Sequence, residues 1–300
     1  MNDLDGTNRV RGLQQFRLAR RKARLNRLMS RLTGRPDELL VFDEVRQALD
    51  LAHPMKEELK DIPLDRIVGT VNRYHDFNRQ FNPIQDSDED RWARVKEMME
   101  VKGLDPIEVY QVDDIYFVLD GNHRVSVSRQ FGSETIQAYV KEFRTAIDLE
   151  PEDNIQDVVL KAEWNELMAD TQLYWVRPRV DIRVTVPGRY NEIREHIAVH
   201  RYDMGQEQSR EIPIEEASAS WVDNVYLPAV EAIRELKLLD DFPGRTETDL
   251  YLWLKRHQHE LQSDWKREVH LFDAAADLTT RFGKNFWGRL WGRIFKQGGG

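Results

Sequence analysis

Asp120-Gly-Asn-His-Arg124 joins an apolar strand pattern, Tyr116-Phe-Val-Leu119, to a helical pattern that Gly132 ends. The start of a helix presents free backbone N–H groups and the positive end of a dipole, so it attracts anions. His123 and Arg124 add side-chain donors, and the planar fork of Arg124 suits phosphate. Two readings follow from these residues alone. In one, Gly121, Asn122, His123 and Arg124 form a phosphate cradle. In the other, Asn122 caps the helix and Arg124 pairs with an acid. Arg73, His75, Asp76 and Arg79 stand in a polar, aromatic stretch from Asn72 to Asp88, long enough to suggest function or disorder. They either approach the same anion or face water. Asp76 or Asp120 is the candidate for a base or for holding Mg²⁺ beside phosphate, although Asp120 can equally shape the turn. His196 and His200 are four residues apart, as two ligands of one metal can be, but no third ligand is identifiable and no metal site is expected.

The two ends of the chain carry the other chemistry-bearing patterns. Residues 1–35 hold ten Lys/Arg against Asp3 and Asp5, a charge of +8. Residues 281–300 hold Arg281, Lys284, Arg289, Arg293 and Lys296 with no acid, a charge of +5. With the whole chain at −9, residues 36–280 carry −22. An acidic body repels nucleic acid and anionic lipid, so such contacts are expected through the ends. Residues 9–35 are the candidate nucleic-acid segment, or else a solvated helix folded on the acidic body. Residues 284–296 place Phe286, Trp287, Leu290, Trp291, Ile294 and Phe295 on one helical face, with basic residues towards the other. That suits packing on the chain's own body, a membrane surface or a protein partner.

No cysteine is present among the 300 residues, which excludes disulfides, thiolate metal sites and a cysteine nucleophile. No run of about 18 apolar residues occurs, and the opening Met1-Asn-Asp-Leu-Asp-Gly6 lacks a signal-peptide pattern. The expected location is cytoplasmic, peripheral to the membrane if the C-terminal segment binds lipid.

Periodicity predicts the positioning elements. A thinly apolar, arginine-rich helix runs from Arg9 to Leu32, with Leu13, Phe16, Ala19 or Arg20, Ala23, Arg27 and Arg31 at helical spacings; a short helix spans Phe42 to Leu51. Ile62 to Val71 reads as a strand preceded by a turn. A helix from Glu89 to Val101 carries Trp92, Val95, Met98 and Met99 on one face, and Lys102-Gly103 ends it. Strands follow at Pro106–Val112, Ile115–Leu119 and Thr135–Lys141. Beyond an acidic boundary at 147–154 the pattern turns helical: Ile155–Leu173, Tyr190–Tyr202, Ala217–Leu239 and Glu247–Leu261, with a lone strand at Val180–Val186. No fixed-period repeat is visible.

Residues 60–145 resemble the ParB/sulfiredoxin superfamily. The order matches: strand, arginine-bearing polar loop, helix ending in Lys102-Gly103, a Pro106-Ile-x-Val strand, hairpin, glycine turn, helix and strand. Sulfiredoxins carry Gly-Cys-His-Arg at the start of that helix and a Glu-Thr-Ile strand after it. Here the residues are Gly121-Asn-His-Arg124 and Glu134-Thr-Ile136. ParB proteins have a Gly-Glu-Arg-Arg type motif at the same place. The resemblance implies an α+β ParB/sulfiredoxin-like small domain that holds nucleotide phosphates, and relatives include nucleotide-dependent kinases. Asn122 stands at the sulfiredoxin cysteine position, so reduction of a peroxiredoxin sulfinic acid is excluded. Arg245-Thr-Glu-Thr-Asp-Leu-Tyr-Leu-Trp253 resembles the C-terminal part of a bacterial family with a ParB-like front half, which supplies no chemistry.

The expected organisation is a basic helical arm (1–58), the ParB/sulfiredoxin-like domain (59–146), a mainly helical acidic domain (147–280) and an amphipathic basic C-terminal helix and tail (281–300). The expected function is a nucleotide-binding regulatory switch that takes a nucleoside triphosphate with Mg²⁺ and can alter homo-oligomer association. Its phosphate-binding candidates are Gly121, Asn122, His123, Arg124, Arg73 and Arg79. One alternative is a nucleotide-dependent phosphotransferase or NTP hydrolase, with Asp76 or Asp120 catalytic. Another is a DNA- or RNA-binding protein acting through the basic arm. No acidic dyad, Ser/His/Asp order or Walker loop favours an enzyme.

Overall fold

In the computed structural model, residues 3–33 and 36–265 are described. Their elements are α1 (Asp3–Thr33), β1 (Leu40–Val41), α2 (Phe42–Ala48), β2 (Glu58–Pro63), β3 (Ile67–Thr70), α3 (Glu89–Lys102), β4 (Ile107–Val112), β5 (Ile115–Asp120), α4 (Asn122–Gln130) and β6 (Thr135–Phe143). The six strands form one mixed sheet in the order β1-β3-β5-β4-β6-β2. β4 and β5 are the antiparallel hairpin turned by Asp113-Asp114, whereas β3 lies parallel to β5 and β4 lies parallel to β6.

The stretch from Ile62 to Val71 is not a single strand. A turn of 3₁₀ helix at Leu64–Arg66 divides it, and its two parts go to different places: β2 pairs antiparallel with β6 at one edge, while β3 lies near the other. Both faces of the sheet are covered, which is why adjacent apolar residues serve different cores. Leu39, Ile67 and Val118 join Phe77, Phe81, Ile107 and Val125 on one face. Their neighbours Leu40, Val68 and Phe117 join Phe42, Val45 and Phe143 on the other. Phe77 and Phe81 belong to the segment that composition marks as a polar loop; they are each 1% exposed and anchor it to the sheet.

α1 packs on α3 and α4 through Phe16, Trp92 and Val127, with Val95 and Met99 alongside. Ala19 and Ala23 are also buried, whereas Arg27 and Arg31 face outwards. Met98 is exposed, and Lys96 takes the buried position instead, reaching Glu100 with Nζ at 3.0 Å.

The described residues divide into two compact units between Ala162 and Glu163, inside α5 (Ile155–Asp170). The second unit comprises α6 (Leu173–Val176), α7 (Arg189–Gln208), α8 (Ile214–Trp221), α9 (Leu227–Glu235) and α10 (Glu247–Trp265). Between α8 and α9 the expected single helix widens into a π-helical turn at Val222–Tyr226. Pro228 follows it; a proline has no N–H to give the preceding turn, and a wider turn accommodates that loss. Val180–Val186 forms no strand. Its backbone is held by side chains: Tyr226 Oη donates to the Asp181 carbonyl at 2.7 Å, and Thr185 N–H donates to Asp249 at 3.1 Å. Ile182 and Val184 are buried, which produces strand-like alternation without a partner strand. The expected amphipathic helix at 284–296 lies outside the described residues.

Candidate anion site at the start of α4

β5 ends at Asp120, and Gly121 turns the chain into α4 with φ +114°. Only glycine fits there. The backbone lies in the left-handed region, and a Cβ would sit 2.5 Å from Ile107 Cγ2. No side chain caps α4, and its first turn holds no acidic residue. Asn122 is therefore not the cap. It is buried instead, 6% exposed, and its Oδ1 has no hydrogen-bond partner.

His123 is 4% exposed and has no hydrogen bond at either ring nitrogen. Its ring meets the edge of Phe77 at a centroid distance of 5.1 Å. Asp88 Oδ1 lies 3.7 Å from Nε2, too far for a hydrogen bond. Burial pushes the imidazole pKa down to about 4, with Arg91 and Arg73 acting in the same direction. The ring is consequently neutral near pH 7, and the approach to Asp88 is not an ion pair. Asp88 is itself buried with Oδ2 unpartnered, and its pKa is raised by burial and then by the charge of Asp76.

Arg124 is spent locally. Nη1 donates to the carbonyls of Asp105 (3.0 Å) and Pro106 (2.6 Å), and Nη2 pairs with Asp120. Asp120 and Arg124 thus fasten the turn to the start of β4. Arg79 is similarly engaged: Nη1 reaches the Glu38 carbonyl at 3.3 Å, and Nη2 those of Pro151 (2.8 Å) and Asp153 (2.7 Å). Only 7% exposed, it staples three segments, and burial lowers its pKa to about 10. Arg73, with φ +62°, faces Asp76 at 3.7 Å, and Asp76 accepts from Gln85 Nε2 at 3.2 Å. His75 is exposed beside Tyr74. The structure therefore gathers Asn122, His123, Arg73 and Asp76, together with Asp88 and Arg91. Sequence reading did not single out the last two. Asp88 had one signal, its place just before a helix start; Arg91 had none. In the second unit, His196 bonds Tyr251 Oη (2.9 Å) and His200 bonds Ser220 Oγ (3.0 Å).

The lowered pKa of His123 has a consequence for stability. The unfolded ring binds a proton from about pH 6.5 downwards and the folded ring only near 4, so stability is fully present above 6.5 and falls as the pH drops towards 4. The loss is up to about 3 kcal/mol. Asp88, with its raised pKa, contributes with the opposite sign at the low end. Urea titrations of wild type and His123→Gln across this range isolate the histidine: the two stability curves are expected to converge as the pH falls.

Residues 54–152, which hold β2–β6 and the glycine turn, match the family model of the ParB N-terminal domain. The expected resemblance is borne out for that segment, about a third of the chain. Among solved structures, sulfiredoxin from Arabidopsis thaliana is similar at 22% sequence identity, covering 29% of this chain and 88% of that one, with a TM-score of 0.23. No curated protein matches the chain. Among the described residues no helix is long and apolar enough to cross a membrane, and no three His, Cys, Asp or Glu side chains are grouped to hold a metal ion.

Proposed function

We propose that the ParB-like domain is a nucleotide-binding regulatory domain that takes phosphate at the start of α4. The observation that carries this reading is the combination at that helix start. It has no capping side chain and no first-turn acid, and buried polar atoms of Asn122 and His123 lack partners beside it. Backbone N–H groups of Asn122 and His123 receive phosphate oxygens, and Arg73 and Arg91 supply positive charge from the flanking segment. Arg124 and Arg79 act one step back by holding the turn and the loop. The ligand is a nucleoside triphosphate. The hard oxygens of Asp88 and Asp76 would hold Mg²⁺, and the ion would supply positive charge to offset the repulsion between phosphate and two carboxylates.

A phosphotransferase or NTP hydrolase is the second reading. The pairing of Asp76 with a partly protonation-prone Asp88 favours it, because a carboxylate with a raised pKa is a better base. A switch turns nucleotide over slowly or not at all, whereas a phosphotransferase releases product in proportion to an acceptor.

Titration of fluorescent nucleoside triphosphates with Mg²⁺ tests the site. His123→Ala and the Arg73→Ala/Arg91→Ala pair are each expected to weaken binding by about tenfold or more, since each removes donors or charge at the anion. Bound phosphate also favours the charged imidazole, so affinity should strengthen as the pH falls from 7 to 5 in wild type and not in His123→Ala. Unchanged binding in His123→Ala would sink the reading.

A further inference from the structure

The face of α1 that points away from α3 carries Leu18, Leu25 and Leu28, exposed to 50%, 58% and 55%. At 100° per residue these leucines lie within an arc of about 80°. Arg21 falls inside that arc, Arg17 and Arg24 on one flank and Lys22 on the other, all exposed. No acidic residue occurs between Gly12 and Arg31. The opposite face is occupied by Phe16, Ala19 and Ala23, buried against the domain, with Phe16 meeting Trp92 edge-on at 6.0 Å. The leucine face is therefore held outwards on a preformed helix. Arg21 and Arg24 make no ion pair among the described residues.

We infer that this face of α1 docks on an anionic lipid surface. Three leucines laid into the acyl boundary bury apolar area, while flanking arginines and Lys22 reach phosphate and carboxylate headgroups. Other occupants fit less well. Nucleic acid binds through cations on phosphate and gains nothing from leucines at the centre of the contact. A second copy would set Arg17, Arg21 and Arg24 against like charges in a symmetric pairing. Single leucines on a surface are ordinary, but three on one arc are not when Arg21 and Arg24 beside them have no acidic partner among the described residues; Arg17 faces Glu89 at 3.7 Å and Lys22 donates to Gln130 at 3.1 Å. The inference is independent of nucleotide binding and concerns a different face of the domain.

Flotation of the full chain with vesicles tests it. Vesicles of phosphatidylcholine containing about one third phosphatidylserine should carry the protein about tenfold or more better than pure phosphatidylcholine. Leu18→Gln/Leu25→Gln/Leu28→Gln should lose about tenfold or more of that partition with its thermal melt unchanged, the substituted positions being exposed. Arg21→Glu/Arg24→Glu should lose it too and serves as the second variant if the first melts early. Binding that neither variant weakens would overturn the inference and place any lipid contact elsewhere in the chain. So would a wild-type chain that ignores the anionic vesicles, or that ignores them while binding duplex DNA in a salt-sensitive way.

Discussion

Arg79→Ala is expected to destabilise the ParB-like domain by about 3–5 kcal/mol, because a buried guanidinium is lost and three carbonyls lose their donor. The carbonyls belong to Glu38, Pro151 and Asp153, so the segments before β1 and before α5 should loosen together. Hydrogen exchange in β1 and β3 reports the loss. Arg79→Lys keeps the charge but cannot reach in two directions at once, and should recover only part of it. An arginine serving the nucleotide directly would behave otherwise: stability would hold and binding alone would fall.

Trp92→Ala is expected to cost about 3–5 kcal/mol, the range for removing a fully buried large aromatic. The indole is 0% exposed, donates from Nε1 to Ser126 Oγ at 3.0 Å, and packs between Phe16 of α1 and Val127 of α4. Its removal leaves a cavity where three helices meet, and the Ser126 hydroxyl loses its donor. α1 should then become the first proteolytic target. Trp92→Phe retains most of the apolar volume and should cost roughly 1–2 kcal/mol, mainly for the bond to Ser126. A wild-type melting temperature in Trp92→Ala would show that α1 is not clamped through this contact.

These two residues also mark what the sequence can disclose. Trp92 sat on a visible apolar face, and period-3.6 spacing found it, because helix burial repeats with the turn. The hairpin at Asp113-Asp114 and the glycine turn at Gly121 were legible for the same reason: their conformation is local. Arg79 was not legible. An arginine among polar neighbours reads as a ligand contact or a solvated charge, and only the fold brings carbonyls from residues 38, 151 and 153 to it. Arg124 likewise turns to carbonyls at 105 and 106, which no spacing rule reveals. The split of Ile62–Val71 into strands at opposite sides of the sheet was hidden too, since pairing partners are set by topology rather than by the strand's own residues. Met98 looked like core, yet it is exposed and Lys96 holds a buried position. Their exchange reflects where α1 and α4 happen to press on α3.

The site that remains is narrower than the motif suggested. Its cations are spent unevenly: Arg124 and Arg79 hold the frame, Arg73 faces Asp76 at 3.7 Å, and the charges of Arg91 and Arg73 act on the buried His123. In the proposed reading the neutral imidazole and the open helix start would receive the anion, with Asp88 Oδ1 3.7 Å from His123 Nε2.

The most direct test is a ¹⁵N–¹H NMR titration of the full chain with Mg²⁺ and, in turn, each common nucleoside triphosphate. Phosphate at the start of α4 predicts that the backbone amides of Asn122, His123 and Arg124 move first and furthest for at least one nucleotide, with Arg73 and Arg91 responding and β2 silent. Saturating nucleotide that leaves those three amides in place, or shifts amides elsewhere instead, would contradict it.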